Sequence, residues 1–246
     1  MLERRLAEAT TAIVPYLTGG FPSLSVFSDA LKSIAEIAIA VEIGIPFSDP
    51  MADGATIQES SRIALDEGTT LESIIDAIEA TPRLEADLVV MSYLNPLLAY
   101  GLDDLMPRLG AAGVAALVIP DLPFEESSGV AGAARDSGIG LVQLVSPVTS
   151  DERLAKLGAA SEGFTYAVTM TGTTGGTAGV GPEVMGYLDR VRFASRPPVL
   201  AGFGVRGREQ VRALAPHCDG VIVGSALVEV LAAGGDPVAF LQELSG

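Results

Sequence analysis

Three carboxylates crowd one short stretch, Val41-Glu42-Ile43-Gly44-Ile45-Pro46-Phe47-Ser48-Asp49-Pro50-Met51-Ala52-Asp53-Gly54. Glu42 lies inside an apolar run, and burial there disfavours the charged form, raising the pKa towards neutrality so that the group can exchange a proton. The alternative is a structural carboxylate, paired with a neighbouring Arg or capping a loop. Asp49 and Asp53 fall in a Pro/Gly-bounded loop, where Asp closes turns through its own side chain; Asp53-Gly54 is itself a turn dipeptide. A loop returning over the end of the strand would bring Asp53, eleven residues beyond Glu42, to the opposite side of one ligand.

Further along, Thr173-Thr174-Gly175-Gly176, Gly202-Phe203-Gly204 and Gly224-Ser225 are glycine-bearing segments. Glycine lets main-chain N–H groups approach an anion closely, although it also ends strands for steric reasons alone. Tyr166 reads either as a packed core tyrosine or as a group beside the carboxylates. Asn95 and Asp121 each precede a segment they could cap as a helix start. His217 is the sole histidine and Cys218 the sole cysteine, so neither a His-based triad nor a multi-histidine or thiolate-rich metal site can be assembled, and no metal is expected.

These residues need a scaffold, and eight apolar runs supply one. They begin at Thr11, Ile37, Ala86, Gly113, Gly140, Gly163, Pro197 and Asp219. Each is rich in Val, Ile, Leu or Tyr without strict alternation, as strands covered on both faces should be. The segments between them carry helical period. In 25–38 Val26, Phe27, Ala30, Leu31, Ile34 and Ile37 form one stripe, and in 69–80 Leu71, Ile74, Ile75 and Ile78 form another. Thr69 and Glu72 stand at capping-box spacing, and Ser150 precedes Asp151-Glu152 as an N-cap. Eight strand–helix units predict a single-domain (β/α)₈ TIM barrel over 1–246. A doubly wound sheet is the runner-up, but Thr18-Gly19-Gly20-Phe21-Pro22 lacks the third glycine of a dinucleotide fingerprint. Two connections exceed the usual repeat, at about 45–68 and about 170–181. Both follow the C-terminal ends of predicted strands, the face on which barrels place their active sites.

The chain has 31 acids against 15 Lys and Arg, a formal net charge of −16. That balance opposes nucleic acid and requires any anionic substrate to be held by local backbone N–H groups. No run is long enough to span a bilayer, and a cytoplasmic location fits the scarce cysteine.

Together with Pro15-Tyr16-Leu17-Thr18-Gly19-Gly20, Tyr93-Leu94-Asn95-Pro96, Asp121-Leu122-Pro123, Phe164-Thr165-Tyr166 and Thr171-Gly172-Thr173-Thr174-Gly175, the opening stretch closely resembles the tryptophan synthase alpha chain family over nearly the whole length. The resemblance implies retro-aldol cleavage of indole-3-glycerol phosphate to indole and D-glyceraldehyde 3-phosphate. Glu42 would shuttle the proton, Asp53 would stay ionised and accept a hydrogen bond from the indole N–H, and Tyr166 would position Glu42 and the substrate. Thr174, Gly175, Gly204, Gly224 and Ser225 would hold the phosphate. Asp49, Pro50 and the 93–100 segment would face a beta chain in an α₂β₂ complex. That partner would carry pyridoxal phosphate, and this chain would need no cofactor. The 171–181 segment would close over substrate through Thr174; it departs from many relatives at Gly176-Thr177, and the short N-terminal helix departs at the barrel bottom. Two other readings compete. Another phosphate-binding barrel of the pathway would be expected to use a catalytic lysine, and the only lysines, Lys32 and Lys156, lie on helical segments. A noncatalytic subunit that only activates a beta chain would have no need of Glu42, Asp53 and Tyr166.

Overall fold

The runs that read as doubly covered strands pair edge to edge until the sheet closes on itself. In the computed structural model, which describes residues 1–81, 84–169, 181–202 and 204–245, eight parallel strands form a closed barrel in sequence order. They are β1 (Ala12–Thr18), β2 (Ala40–Gly44), β3 (Asp87–Met91), β4 (Val114–Val118), β5 (Gly140–Val145), β6 (Thr165–Val168), β7 (Val199–Gly202) and β8 (Gly220–Val223). Around them run α1 (Leu2–Glu8), α2 (Leu24–Ala35), α3 (Ala55–Asp66), α4 (Leu71–Glu79), α5 (Leu94–Tyr100), α6 (Leu102–Ala111), α7 (Ser128–Asp136), α8 (Asp151–Ala160), α9 (Pro182–Ala194), α10 (Arg208–Leu214), α11 (Ser225–Ala232) and α12 (Pro237–Ser245). Every predicted run contains one strand. The barrel outcome removes the doubly wound alternative.

Register decides which residues face the barrel axis. Tyr16 pairs with Glu42, and Glu42 with Val89. Successive strand residues alternate faces, so Glu42 and Gly44 share one face, as do Tyr16 and Thr18. A Cβ placed on Gly44 would lie 2.0 Å from Tyr16 Oη, and one on Gly202 would lie 2.3 Å from Tyr166 Cε1. Both glycines therefore make room for a tyrosine of the neighbouring strand inside the barrel.

The far end of the barrel is covered by α1. Leu2 and Leu6 are buried, and Arg5 reaches Asp87 Oδ2 and the Glu85 carbonyl, each at 3.0 Å. The short N-terminal helix thus seals the bottom through two leucines and one arginine. His217 and Cys218 also lie away from the catalytic face, His217 bonded to Asp189 at 2.8 Å and Cys218 buried, its thiol pushed up to about 11 by desolvation.

Several local expectations shift. The α4 capping box is formed by Thr70 and Ser73 rather than Thr69 and Glu72. Thr69 is buried against the Gly20 turn, which leaves the next threonine to cap, and Glu72 is drawn to Arg108 at 2.6 Å instead. Asn95 is not a cap: α5 starts one residue earlier, and its Leu94 N–H is met by Asp121 Oδ1 at 2.9 Å. The α2 stripe is narrower than its period implied, because Val26 and Ile37 are exposed while Phe27, Leu31 and Ile34 are buried. Ser150 caps α8 as expected, accepting from the Arg153 N–H.

Candidate active site

β2 delivers Glu42 to the barrel interior with no solvent exposure. Neither of its carboxyl oxygens has a hydrogen-bond partner among the described residues. Among the described residues no Arg and no loop N–H holds Glu42, which counts against a structural ion pair or loop cap. A buried carboxyl without partners keeps its proton, and its pKa is raised to about 8, first by desolvation and then by the charge of Asp53.

Asp53 closes the turn after β2, just before α3, and is buried. Gln58 Nε2 donates to the Asp53 carbonyl at 2.9 Å and to the Pro50 carbonyl at 3.3 Å, folding the turn onto the helix that follows. Its carboxylate accepts from Tyr93 Oη at 3.2 Å. Burial raises the Asp53 pKa to about 6, against the opposing effect of the Tyr93 hydrogen bond. Near pH 7 the pair therefore splits: Asp53 is mainly ionised and Glu42 mainly protonated. Two like carboxyls with separated pKa values are how one site holds both an acid and a fixed charge.

The turn after β2 holds Asp53 near enough for its charge to raise the Glu42 pKa. Tyr166 joins them, buried on β6 with its phenol pKa raised by desolvation and by Glu42. Two tyrosines quoted only within motifs also belong here. Tyr16 is buried beside Glu42, and its phenol is raised by desolvation and the Asp53 charge; Tyr93 bonds Asp53 directly. An aromatic residue in or beside a strand reads as packing, and only the closure of the barrel shows which hydroxyls meet the carboxyls. Thr18 and Ser60, joined at 2.7 Å and both buried, tie the C-terminal end of β1 to α3.

Gly204, in the left-handed region at φ 94, follows β7, and Gly224 is the N-cap of α11 with Ser225 as its first residue. The first turn of a helix leaves its N–H groups without backbone acceptors, and its dipole favours an anion. A Cβ on Gly224 would lie 3.6–3.7 Å from Tyr16 ring and Cβ atoms, so the Tyr16 side chain reaches from this helix start to Gly44 of β2. Thr174 and Gly175, with the rest of the 170–180 segment, lie outside the described residues. Asp49 is exposed and Pro50 partly so, beside Met51 at 75% exposure; Leu98 of α5 is 53% exposed. A cavity of about 540 Å³ lies elsewhere, between α1 and the α9–β7 turn. Two of its three arginines, Arg4 and Arg192, are paired with Glu8 and Asp219, and neither of its carboxyls, Glu3 and Asp219, is buried like Glu42.

The tyrosine–glycine contacts give one expected result. Gly202→Ala should displace the Tyr166 ring, costing about 1–3 kcal/mol of stability and about 10-fold in kcat, because small misplacements at a reacting centre are amplified. Urea melts and steady-state rates would test this; wild-type values for both would refute the contact.

The fold is an α/β barrel, and its paired buried carboxyls, Glu42 and Asp53, form a candidate acid–base site. The tryptophan synthase alpha chain family model matches residues 2–243. A tryptophan synthase alpha chain of Bacillus cereus is 42% identical over 222 residues, covering 89% of this chain and 86% of the relative, and one from Bacillus anthracis is 41% identical over the same span. Among solved structures, tryptophan synthase of Mycobacterium tuberculosis superposes with a TM-score of 0.91 at 35% identity, covering 99% of this chain and 96% of the other. A mutant alpha-subunit from the hyperthermophile Pyrococcus furiosus gives 0.87 at 36%, covering 96% and 98%. This chain belongs to the tryptophan synthase alpha chain family. Its role is that of the alpha subunit in tryptophan biosynthesis, a lyase that cleaves indole-3-glycerol phosphate to indole and glyceraldehyde 3-phosphate, in complex with a beta chain.

Proposed function

We propose that Glu42 carries the proton of the retro-aldol cleavage, that Asp53 supplies a fixed negative charge at the indole N–H, and that Tyr166 positions Glu42. The observation that carries this reading is the burial of Glu42, both carboxyl oxygens without a hydrogen-bond partner among the described residues, beside an ionisable Asp53. With its pKa raised to about 8, Glu42 enters the reaction protonated. It gives its proton to indole C3, which places positive charge on the ring, and Asp53 stabilises that charge through the ring N–H. Glu42, now a carboxylate, removes the proton from the hydroxyl on the carbon attached to the ring. The C–C bond breaks as the aldehyde carbonyl forms, its electron pair neutralises the ring, and Glu42 recovers its starting proton. One carboxyl thus serves both steps.

The phosphate is assigned to the N–H groups at Gly204, Gly224 and Ser225, with Thr174 and Gly175 completing the cradle. Backbone donors suit a chain whose overall field repels anions. Asp49, Pro50 and the exposed Met51 and Leu98 support a partner surface for the beta chain, in an α₂β₂ assembly with pyridoxal phosphate on the beta chain and none here. Among the described residues no helix is long and apolar enough to cross a membrane, which is compatible with a cytoplasmic enzyme built as one barrel domain.

The test is steady-state indole release from indole-3-glycerol phosphate by the chain alone and with added beta chain. Asp53→Asn should lower kcat by about 10² while the KM changes little, since the charge it stabilises exists only past the ground state. An Asp53→Asn enzyme with wild-type kcat would remove Asp53 from the mechanism.

A further inference from the structure

We propose that Tyr93 is a positioning residue for Asp53: anchored by the Ala52 amide, its hydroxyl occupies Asp53 Oδ2 and thereby presents Oδ1 to the substrate's ring N–H. The proposal rests on the role given to Asp53 above.

The direction of every proton in this arrangement is fixed by chemistry. The Ala52 N–H can only donate, and it meets Tyr93 Oη at 2.8 Å. The phenol's single proton is then committed to Asp53 Oδ2, at 3.2 Å. Tyr93 is well held: it is 4% exposed, its ring lies against Phe47 with centroids 5.2 Å apart, and the next residue's N–H is bonded to Asp121 Oδ1 at 2.9 Å. The hydroxyl therefore joins the end of β3 to the turn after β2 at two points, one on the backbone and one on the carboxylate.

This arrangement has a chemical consequence. Oδ2 already accepts from Tyr93, which favours Oδ1 as the site of a proton arriving on Asp53, where it would face the ring N–H donor-to-donor. Ionised Asp53 accepts from the substrate, and protonated Asp53 cannot. By bonding the ionised form, Tyr93 both aims the carboxylate and keeps it charged against the cost of burial.

The experiment compares the wild-type enzyme with Tyr93→Phe and with 3-fluorotyrosine at position 93. The Asp53 carboxyl titration is followed by ¹³C NMR, assigned through Asp53→Asn, alongside the pH dependence of kcat/KM for indole release. In Tyr93→Phe the Asp53 midpoint and the acidic limb of kcat/KM should rise together by about one pH unit, with about a 10-fold loss of kcat below neutrality that narrows at higher pH. The fluorinated phenol is a stronger donor and keeps the packing of the site, so it should move both in the opposite direction. An Asp53 midpoint unchanged in both variants would overturn the proposal alone. A midpoint that moves while the limb of kcat/KM stays put would overturn the role of Asp53 itself, and the proposal with it.

Discussion

Glu42→Gln should reduce indole release by about 10²–10⁴-fold, the usual loss when a positioned proton-transfer group is removed. Gln is nearly isosteric, Glu42 has no hydrogen-bond partner to lose among the described residues, and the amide cannot give and retake a proton. Binding of an unreactive substrate analogue should therefore remain within a few-fold of wild type, so the loss falls on kcat. A rate within 10-fold of wild type would remove Glu42 from the mechanism, and a lost affinity with intact kcat would reassign it to binding.

The same substitution should reverse a pH-dependent weakness of the fold. Glu42 ionises near 8 in the native barrel and near its ordinary value of 4.5 when unfolded. Between those values the unfolded chain has released a proton that the folded chain retains, so stability falls as pH rises through the window and levels off above about 8. The cost by then reaches up to about 5 kcal/mol. Asp53, raised from 3.8 to about 6, adds a smaller loss that is complete earlier. Glu42→Gln removes the Glu42 part only. Its urea midpoint should match wild type near pH 4.5 and exceed it increasingly up to pH 8–9. Parallel curves for the two proteins across that range would show that Glu42 is not buried with its proton.

Most of the scaffold was legible in the sequence, for a physical reason. Strands covered on both faces must be apolar throughout, so the runs at Thr11, Ile37 and Ala86 announce themselves, and a carboxylate within one of them, Glu42, stands out by contrast. Asp53 was legible only in part, because Asp-Gly in a turn has a sufficient local explanation. Tyr16 and Tyr93 were hidden more deeply. Tyrosine is an ordinary packing residue at a strand, and what brings each ring beside a carboxyl is the pairing of separate strands and the turn after β2. The α4 cap failed by one residue because Thr69 and Thr70 offer the same hydroxyl, and the choice between them is made by burial of Thr69 against Gly20. Local pattern determines which residues can cap or react; the closure of the barrel selects among them.

The two tyrosines seated over Gly44 and Gly202 also bear on which substrates the barrel could be engineered to take. Their rings, not the glycines, occupy the volume beside the carboxyls, since neither glycine has a side chain to withdraw. Room for a larger ring substituent should come from shortening Tyr16, whose Oη stands over Gly44, while enlarging either glycine would narrow the chamber. Ring-substituted indoles made by a Tyr16→Ala barrel would measure how much of the enzyme's selectivity that one phenol sets.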